Sequence, residues 1–271
     1  MISEAHNASL STIMQPSYSN ETWAETQFSA CQLGDQRRSK RLVTMMARLA
    51  NNGGGNLSAA HRGDSAAMEG AYRFIRNRAV TMTAIQSQAF DATAARLNCI
   101  ERLLAIDDTT TLAYEHCVRD QLGDLGGKAN ALARGVWVHN TLMMDANRGT
   151  TEGLIAQHYW SRDSAKRGKK HQRQAKAVEE KESFKWQHNA QILRARLGGK
   201  MRDVIAVSDR ESDIFDYLLH KQTHHERYVV RAAQDRVIHD SNERLSEQLN
   251  RAVVQGKMTI TVSQRGVPKP P

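Results

Sequence analysis

Two stretches share one pattern, a short apolar run that breaks off into acids and hydroxyls. Val204-Ile205-Ala206-Val207 is followed at once by Ser208-Asp209-Arg210-Glu211-Ser212-Asp213, and Leu103-Leu104-Ala105-Ile106 by Asp107-Asp108-Thr109-Thr110. Apolar runs of this length bounded by polar turns predict buried strands. Further strands are expected over 110–114, 136–144, 153–160, 228–230 and 258–262. Helical spacing predicts segments over 23–30 and, after an N-cap at Asp35, through Leu42, Met45, Met46 and Leu49 to a stop at Asn51-Asn52-Gly53-Gly54-Gly55-Asn56. A third helix begins at Asp64 or Ser65, and a fourth runs over 83–98 with Ile85, Ala89 and Leu97 turned inward. Others are expected over 179–197, closed by Gly198-Gly199, and over 214–220 and 243–254. Residues 1–20 read as a loose polar arm. Helices come first and strands interleaved with helices follow, so the fold class expected is α/β, or mixed α+β.

Charge adds a partner to this picture. The 271 residues carry 38 Lys and Arg against 29 Asp and Glu, a formal net charge of +9 that favours a polyanionic partner such as nucleic acid. Arg37, Arg38, Lys40 and Arg41 crowd the first turns of the second helix, where positive charge opposes the helix dipole. Either these cations bind phosphate or they form a solvated face screened by water. Arg73 and Arg76, three apart, share a face of the third helix. The basic run over 162–176 is expected to be an exposed loop. Cys31, Cys99 and Cys117 form no Cys-x-x-Cys pair, which suits a reducing cytoplasm. No stretch approaches the length of a membrane span.

Asp108 and Asp209 stand far apart in sequence and meet only if their strands are neighbours in one sheet. Two carboxylates converging at strand ends suit Mg2+ or Mn2+, hard ions that prefer oxygen ligands. Asp107 rivals Asp108, but on a pleated strand the two point to opposite faces. The alternative for Asp209 is structural: Ser208 to Glu211 fits a capping box at a helix start, with the acid merely favouring the positive helix end. No phosphate-binding Gly-x-x-x-x-Gly-Lys loop, His-Glu-x-x-His or Gly-x-Ser-x-Gly occurs. The eleven histidines show no ligand spacing. Trp137, Trp160 and Trp186 read as core or sheet-face residues.

Several motifs in order carry a resemblance. They are Leu33 through Arg38, Glu69 through Asn77, Ala105 through Leu112, Arg134 through His139, Glu180 through Trp186, Val204 through Asp213, and Glu226 through Arg231. Together they make the chain similar to cut-and-paste DDE transposases of the IS-four family, of the Tn-five type. The Asp-Arg-Glu-Ser-Asp run at 209–213 departs from the family's usual pattern by one small residue.

The resemblance implies a helical domain over 1–80 that binds double-stranded transposon-end DNA. A ribonuclease-H-like catalytic domain over 81–255 would follow, with the start of a β-rich insertion over 256–271. It implies two divalent ions, Mg2+ or Mn2+, and phosphodiester hydrolysis followed by strand transfer. Asp108 and Asp209 would be the first two catalytic, metal-binding acids. Arg37, Arg38, Arg41, Arg73 and Arg76 would belong to the end-recognition surface, and Arg231 would lie near DNA in the catalytic domain. The family's third acid, a glutamate in a Tyr-x-x-Arg-x-x-x-Glu type segment, has no match here, nor does its C-terminal dimerisation region. The sequence therefore reads as a C-terminally truncated, cytoplasmic protein, nucleoid-associated when bound to DNA and inactive alone. The alternative is a non-catalytic protein that occupies transposon ends and inhibits a full-length transposase, which would be its partner.

Overall fold

The computed structural model describes residues 19–114, 121–125, 134–162, 177–257 and 259. The N-terminal arm, nearly all of the basic run over 162–176, and most of the strand expected over 258–262 lie outside the described residues. The chain divides into two compact units, Met1–Arg231 and Ala232–Pro271.

The described part of the first unit opens with five helices whose starts are fixed by side-chain caps. In α1 (Asn20–Phe28) Ser19 Oγ accepts the Thr22 N–H at 3.2 Å. In α2 (Gln36–Asn51) the Asp35 carboxylate accepts the Arg37 N–H at 2.8 Å. The short α3 (Leu57–Ala60) precedes α4 (Ser65–Ile75), whose cap Asp64 accepts the Ala67 N–H at 2.9 Å. Thr81 caps α5 (Met82–Arg96) through the Ala84 N–H. Helix α2 ends where Gly53 and Gly54 adopt positive φ, the left-handed turn glycine accepts without strain. Ala24, Phe28, Cys31, Leu33, Leu42, Met45, Ala47, Ala71 and Phe74 close into one core, against which Ala84, Ile85 and Ala89 of α5 also pack.

Among the described residues six strands form one mixed sheet: β1 (Leu103–Tyr114), β2 (Gly123–Asp124), β3 (Arg134–Asp145), β4 (Thr150–Trp160), β5 (Val204–Ser208) and β6 (Arg227–Val230). The order is β2-β3-β1-β5-β6, with β4 also paired to β3. β1 runs antiparallel to β3 over its whole length and parallel to β5, and β5 runs parallel to β6. The two strands expected at 103–106 and 110–114 are a single twelve-residue strand. Thr109 to Tyr114 stay in the ladder because Arg134 to His139 pair with them, although five of these six residues carry exposed side chains.

Helix α6 (Phe184–Leu197) covers one face of the sheet. Its Leu193 and Leu197 pack with Leu97, Leu103, Ala105, Met143, Ile155 and Val204. The helix expected from 179 starts later, after a separate 3-10 turn at Val178–Glu180. Helix α7 (Phe215–Thr223) links β5 to β6 and buries Tyr217 against Trp186 and Ala190.

Helix α5 belongs to both halves of this unit. Beyond its contacts with the N-terminal core, its Arg96 donates to the Gln27 amide oxygen at 2.8 Å and to the Glu152 carbonyl at 2.6 Å. Gly153 of β4 sits so close that a Cβ there would come within 2.8 Å of Thr93 Oγ1.

In the second unit a bridge joins Val237 to Arg244 and leads into α8 (Leu245–Arg251), shorter than the helix expected over 243–254. Its first turn is held twice: Glu247 accepts the Arg244 N–H at 2.9 Å and Asp235 accepts the Ser246 N–H at 3.0 Å. Leu249, Val253 and Val254 are exposed.

Candidate nucleic-acid interface and acidic row

The arginines of the helical bundle fall into two groups. Some are committed within the fold: Arg37 pairs with Asp35 at 2.9 Å, Arg48 with Asp64 at 3.0 Å, and Arg73 with Glu69 at 2.5 Å. Arg38 donates to the Leu33 carbonyl at 2.7 Å and so braces the turn before α2. The hydrogen bonds and charge of Arg37 hold the Asp35 carboxyl below its ordinary range. Exposed pairs such as Arg37–Asp35 are weak in water and exchange readily for phosphate. The other group has no carboxylate partner among the described residues. Arg41 is exposed on α2, and Arg76 stands over the Tyr72 ring with 5.8 Å to its centroid. Of the five arginines expected on the recognition surface, Arg41 and Arg76 are thus the ones most available to a polyanion.

The acids lie on the sheet. The parallel register pairs Asp107 with Ser208, and Ser208 with Val230, so the next row across the strand ends is Asp108, Asp209 and Arg231. The Arg231 N–H continues the β6 ladder by donating to the Ser208 carbonyl at 3.3 Å. On the other side Asp108 is paired with Asn140 of β3. Asp108, Asp209 and Arg231 are all exposed.

Each acid carries one local hydrogen bond. Asp108 Oδ1 accepts the Thr109 N–H at 2.8 Å, and Asp209 Oδ1 accepts the Glu211 N–H at 2.9 Å. The cap at this turn is therefore Asp209, not Ser208, and it starts a single 3-10 turn (Arg210–Ser212) rather than α7. Ser208 instead shares a 2.7 Å hydrogen bond with the Ser212 hydroxyl, inside the fold. Capping occupies one oxygen of Asp209, and carboxylate oxygens are the donors a hard divalent ion prefers. Glu211 is engaged elsewhere: Lys185 approaches it at 3.4 Å. Among the described residues no group of three or more His, Cys, Asp or Glu side chains is placed to hold a metal ion.

Asp107 points the other way and is 6% exposed. Thr141 donates to it at 2.5 Å, and Asn189 of α6 donates to Thr141 at 3.0 Å. Burial pushes the Asp107 carboxyl up to about 6, with the Thr141 hydrogen bond and the Lys221 charge opposing. Its neighbour His139 is driven down to about 3 by burial and by the Lys185 charge, and remains a neutral packing residue against Trp186. Trp186 is core, while Trp137 and Trp160 stack on the sheet face at 6.0 Å.

Two features escaped the sequence. One is a chain of amides beside Asp108: Gln157 donates to Asn140 at 2.7 Å and accepts from Gln86 of α5 at 3.1 Å. A polar Asn140 within the apolar run Val136–Met144 was its only visible trace. The other is the buried Lys221–Glu226 pair at 2.8 Å, which joins the end of α7 to the start of β6.

Residues 20–80 match the family model of the transposase DNA-binding domain. That interval spans the first four helices, from the start of α1 to the residue before the cap of α5. The N-terminal bundle thus carries a transposase-type DNA-binding domain, and DNA is the partner it is built for. No described helix is long and apolar enough to cross a membrane.

Proposed function

We propose that this chain binds transposon-end DNA in the manner of cut-and-paste transposases of the IS-four family, Tn-five type, with Asp108 and Asp209 as its phosphodiester site. The observation that carries the reading is the parallel pairing of β1 with β5, which brings these two acids to adjacent strand ends in a unit that also contains the matched DNA-binding domain. Arg231 next in the row would neutralise a phosphate beside them. Asp108 and Asp209 would hold Mg2+ or Mn2+ through their carboxylate oxygens, and such ions polarise the phosphoryl oxygens and activate the attacking group.

Two carboxylates, with no third metal-binding side chain grouped with them among the described residues, are a sparse ligand set for a two-ion site. The chain alone is therefore expected to bind duplex DNA without cutting it efficiently, and to need a third acid for hydrolysis and strand transfer. This favours, as a second reading, a DNA-occupying role that competes with an active transposase for the same ends.

Purified full chain tests both parts. Binding to duplex DNA should weaken steeply as salt rises, and Mn2+ binding in the presence of DNA should be lost in Asp108→Asn and Asp209→Asn. Absence of DNA binding at low salt would overturn the whole reading. Efficient Mn2+-dependent nicking of a supercoiled plasmid, abolished by Asp209→Ala, would overturn the non-cleaving part alone.

A further inference from the structure

Gly70 lies in the middle of α4, a position where glycine is a poor choice for helix stability. Backbone geometry does not demand it, because Gly70 is not among the glycines with positive φ. What it does provide is space. A Cβ at this position would come within 2.9 Å of both Cζ and Nη1 of Arg41 and 3.2 Å of Nη2. The guanidinium of Arg41, on α2, therefore lies against the bare backbone of α4. Arg41 is exposed and has no ion-pair partner among the described residues, unlike Arg37, Arg48 and Arg73.

An arginine held in a seam between two helices gives up less side-chain freedom on binding than one waving from a surface. We propose that Gly70 is a positioning residue for DNA binding, leaving the α4 backbone uncovered so that the Arg41 guanidinium is seated between α2 and α4 and presented to a DNA phosphate. This rests on the DNA-binding reading of the bundle. The helix gives up local stability at Gly70, and the gain appears as a preorganised cation.

The geometry makes a double-mutant cycle decisive. The atoms that an alanine methyl would strike are the far end of a flexible side chain, so Gly70→Ala should fold and move only Arg41. Full-length wild type, Arg41→Ala, Gly70→Ala and the double variant are titrated by fluorescence anisotropy against a mixed-sequence DNA duplex over a range of salt. Arg41→Ala should bind about tenfold more weakly, with the logarithmic salt slope reduced by about one. Gly70→Ala should bind several-fold more weakly while its melting temperature stays level or rises, and it should add nothing in the Arg41→Ala background. Wild-type affinity in Gly70→Ala, a further loss in the double variant, or a lower melting temperature for Gly70→Ala would each overturn the inference. If the wild type itself fails to bind the duplex, the DNA-binding reading falls, and this inference with it.

Discussion

Removing the carboxylate of Glu226 should be among the most damaging single changes in the first unit. Lys221 and Glu226 are 2.8 Å apart with side chains only 1% and 3% exposed. Arg194 completes the group, donating to Glu226 at 2.8 and 3.0 Å, but it is 39% exposed and also donates to the His224 carbonyl. Burial pushes the Glu226 carboxyl up, yet the Lys221 and Arg194 charges overrule it and hold the carboxyl below its ordinary range. In Glu226→Ala, Arg194 can turn to water and Lys221 cannot. An uncompensated buried ammonium costs about 3–5 kcal/mol, a large share of a total near 5–15 kcal/mol. For a unit of this size the melting temperature should fall by roughly 10 °C. The apolar double replacement Lys221→Met with Glu226→Leu should recover most of the loss, since it removes both charges together. Calorimetry and urea unfolding of wild type, the single variant and the double variant measure this directly. A single variant within about 1 kcal/mol of wild type, or a double variant less stable than the single, would refute the reasoning. The pH dependence has a fixed sign. Because the folded carboxyl lies below its unfolded value, its contribution is present above the unfolded range and is lost as pH falls through the folded one.

Asp107 should behave in the opposite sense. Its carboxyl is raised to about 6 in the fold, so the folded state binds the extra proton, and stability falls as pH rises from its unfolded value through 6. A shift of that size corresponds to roughly 3 kcal/mol. Asp107→Asn should flatten that interval of the stability profile and be at least as stable as wild type at pH 7.5, as read by urea unfolding; an unchanged profile would count against a buried, raised carboxyl. Gly153→Ala should destabilise the junction of α5 with β4 by about 2 kcal/mol, because φ there is +138° and the new methyl would meet Thr93. A thermal melt unchanged by that substitution would show that the junction yields easily.

Much of the fold was legible because the pattern was strong where burial was strong. The apolar run Val204 to Val207 makes up all of the covered strand β5 but its last residue, Ser208, and Asp35, Asp64 and Gly53 mark helix ends by local chemistry alone. The split placed within Leu103–Tyr114 arose because the run Asp107 to Thr111 looks like a turn when read by hydrophobicity. What keeps it extended is hydrogen bonding to Arg134–Thr141, a partner no local window contains. For the acids, alternation was enough to assign Asp107 and Asp108 to opposite faces. It could not say that the buried one would be met by Thr141, itself held by Asn189, and by the Lys221 charge, contributed by β3, α6 and α7. Nor could it distinguish the arginines, all alike in sequence until Asp35 and Glu69 engage Arg37 and Arg73 while Arg41 has no ion-pair partner among the described residues.

Helix α5 has a consequence for how the helical bundle and the acidic row are spaced. Its N-terminal half is part of the DNA-binding core through Ala84, Ile85 and Ala89, and its C-terminal half is fastened to β4 through Thr93 and Arg96. A fifteen-residue helix is a strut of about 22 Å with almost no longitudinal compliance. The bundle and the sheet therefore cannot slide along it independently. The spacing between the bundle and the row of Asp108, Asp209 and Arg231 is built into one rigid element, as the spacing of jaws is built into a caliper. On the proposed function, choosing where the bundle grips the duplex then also chooses which phosphodiester meets the acids.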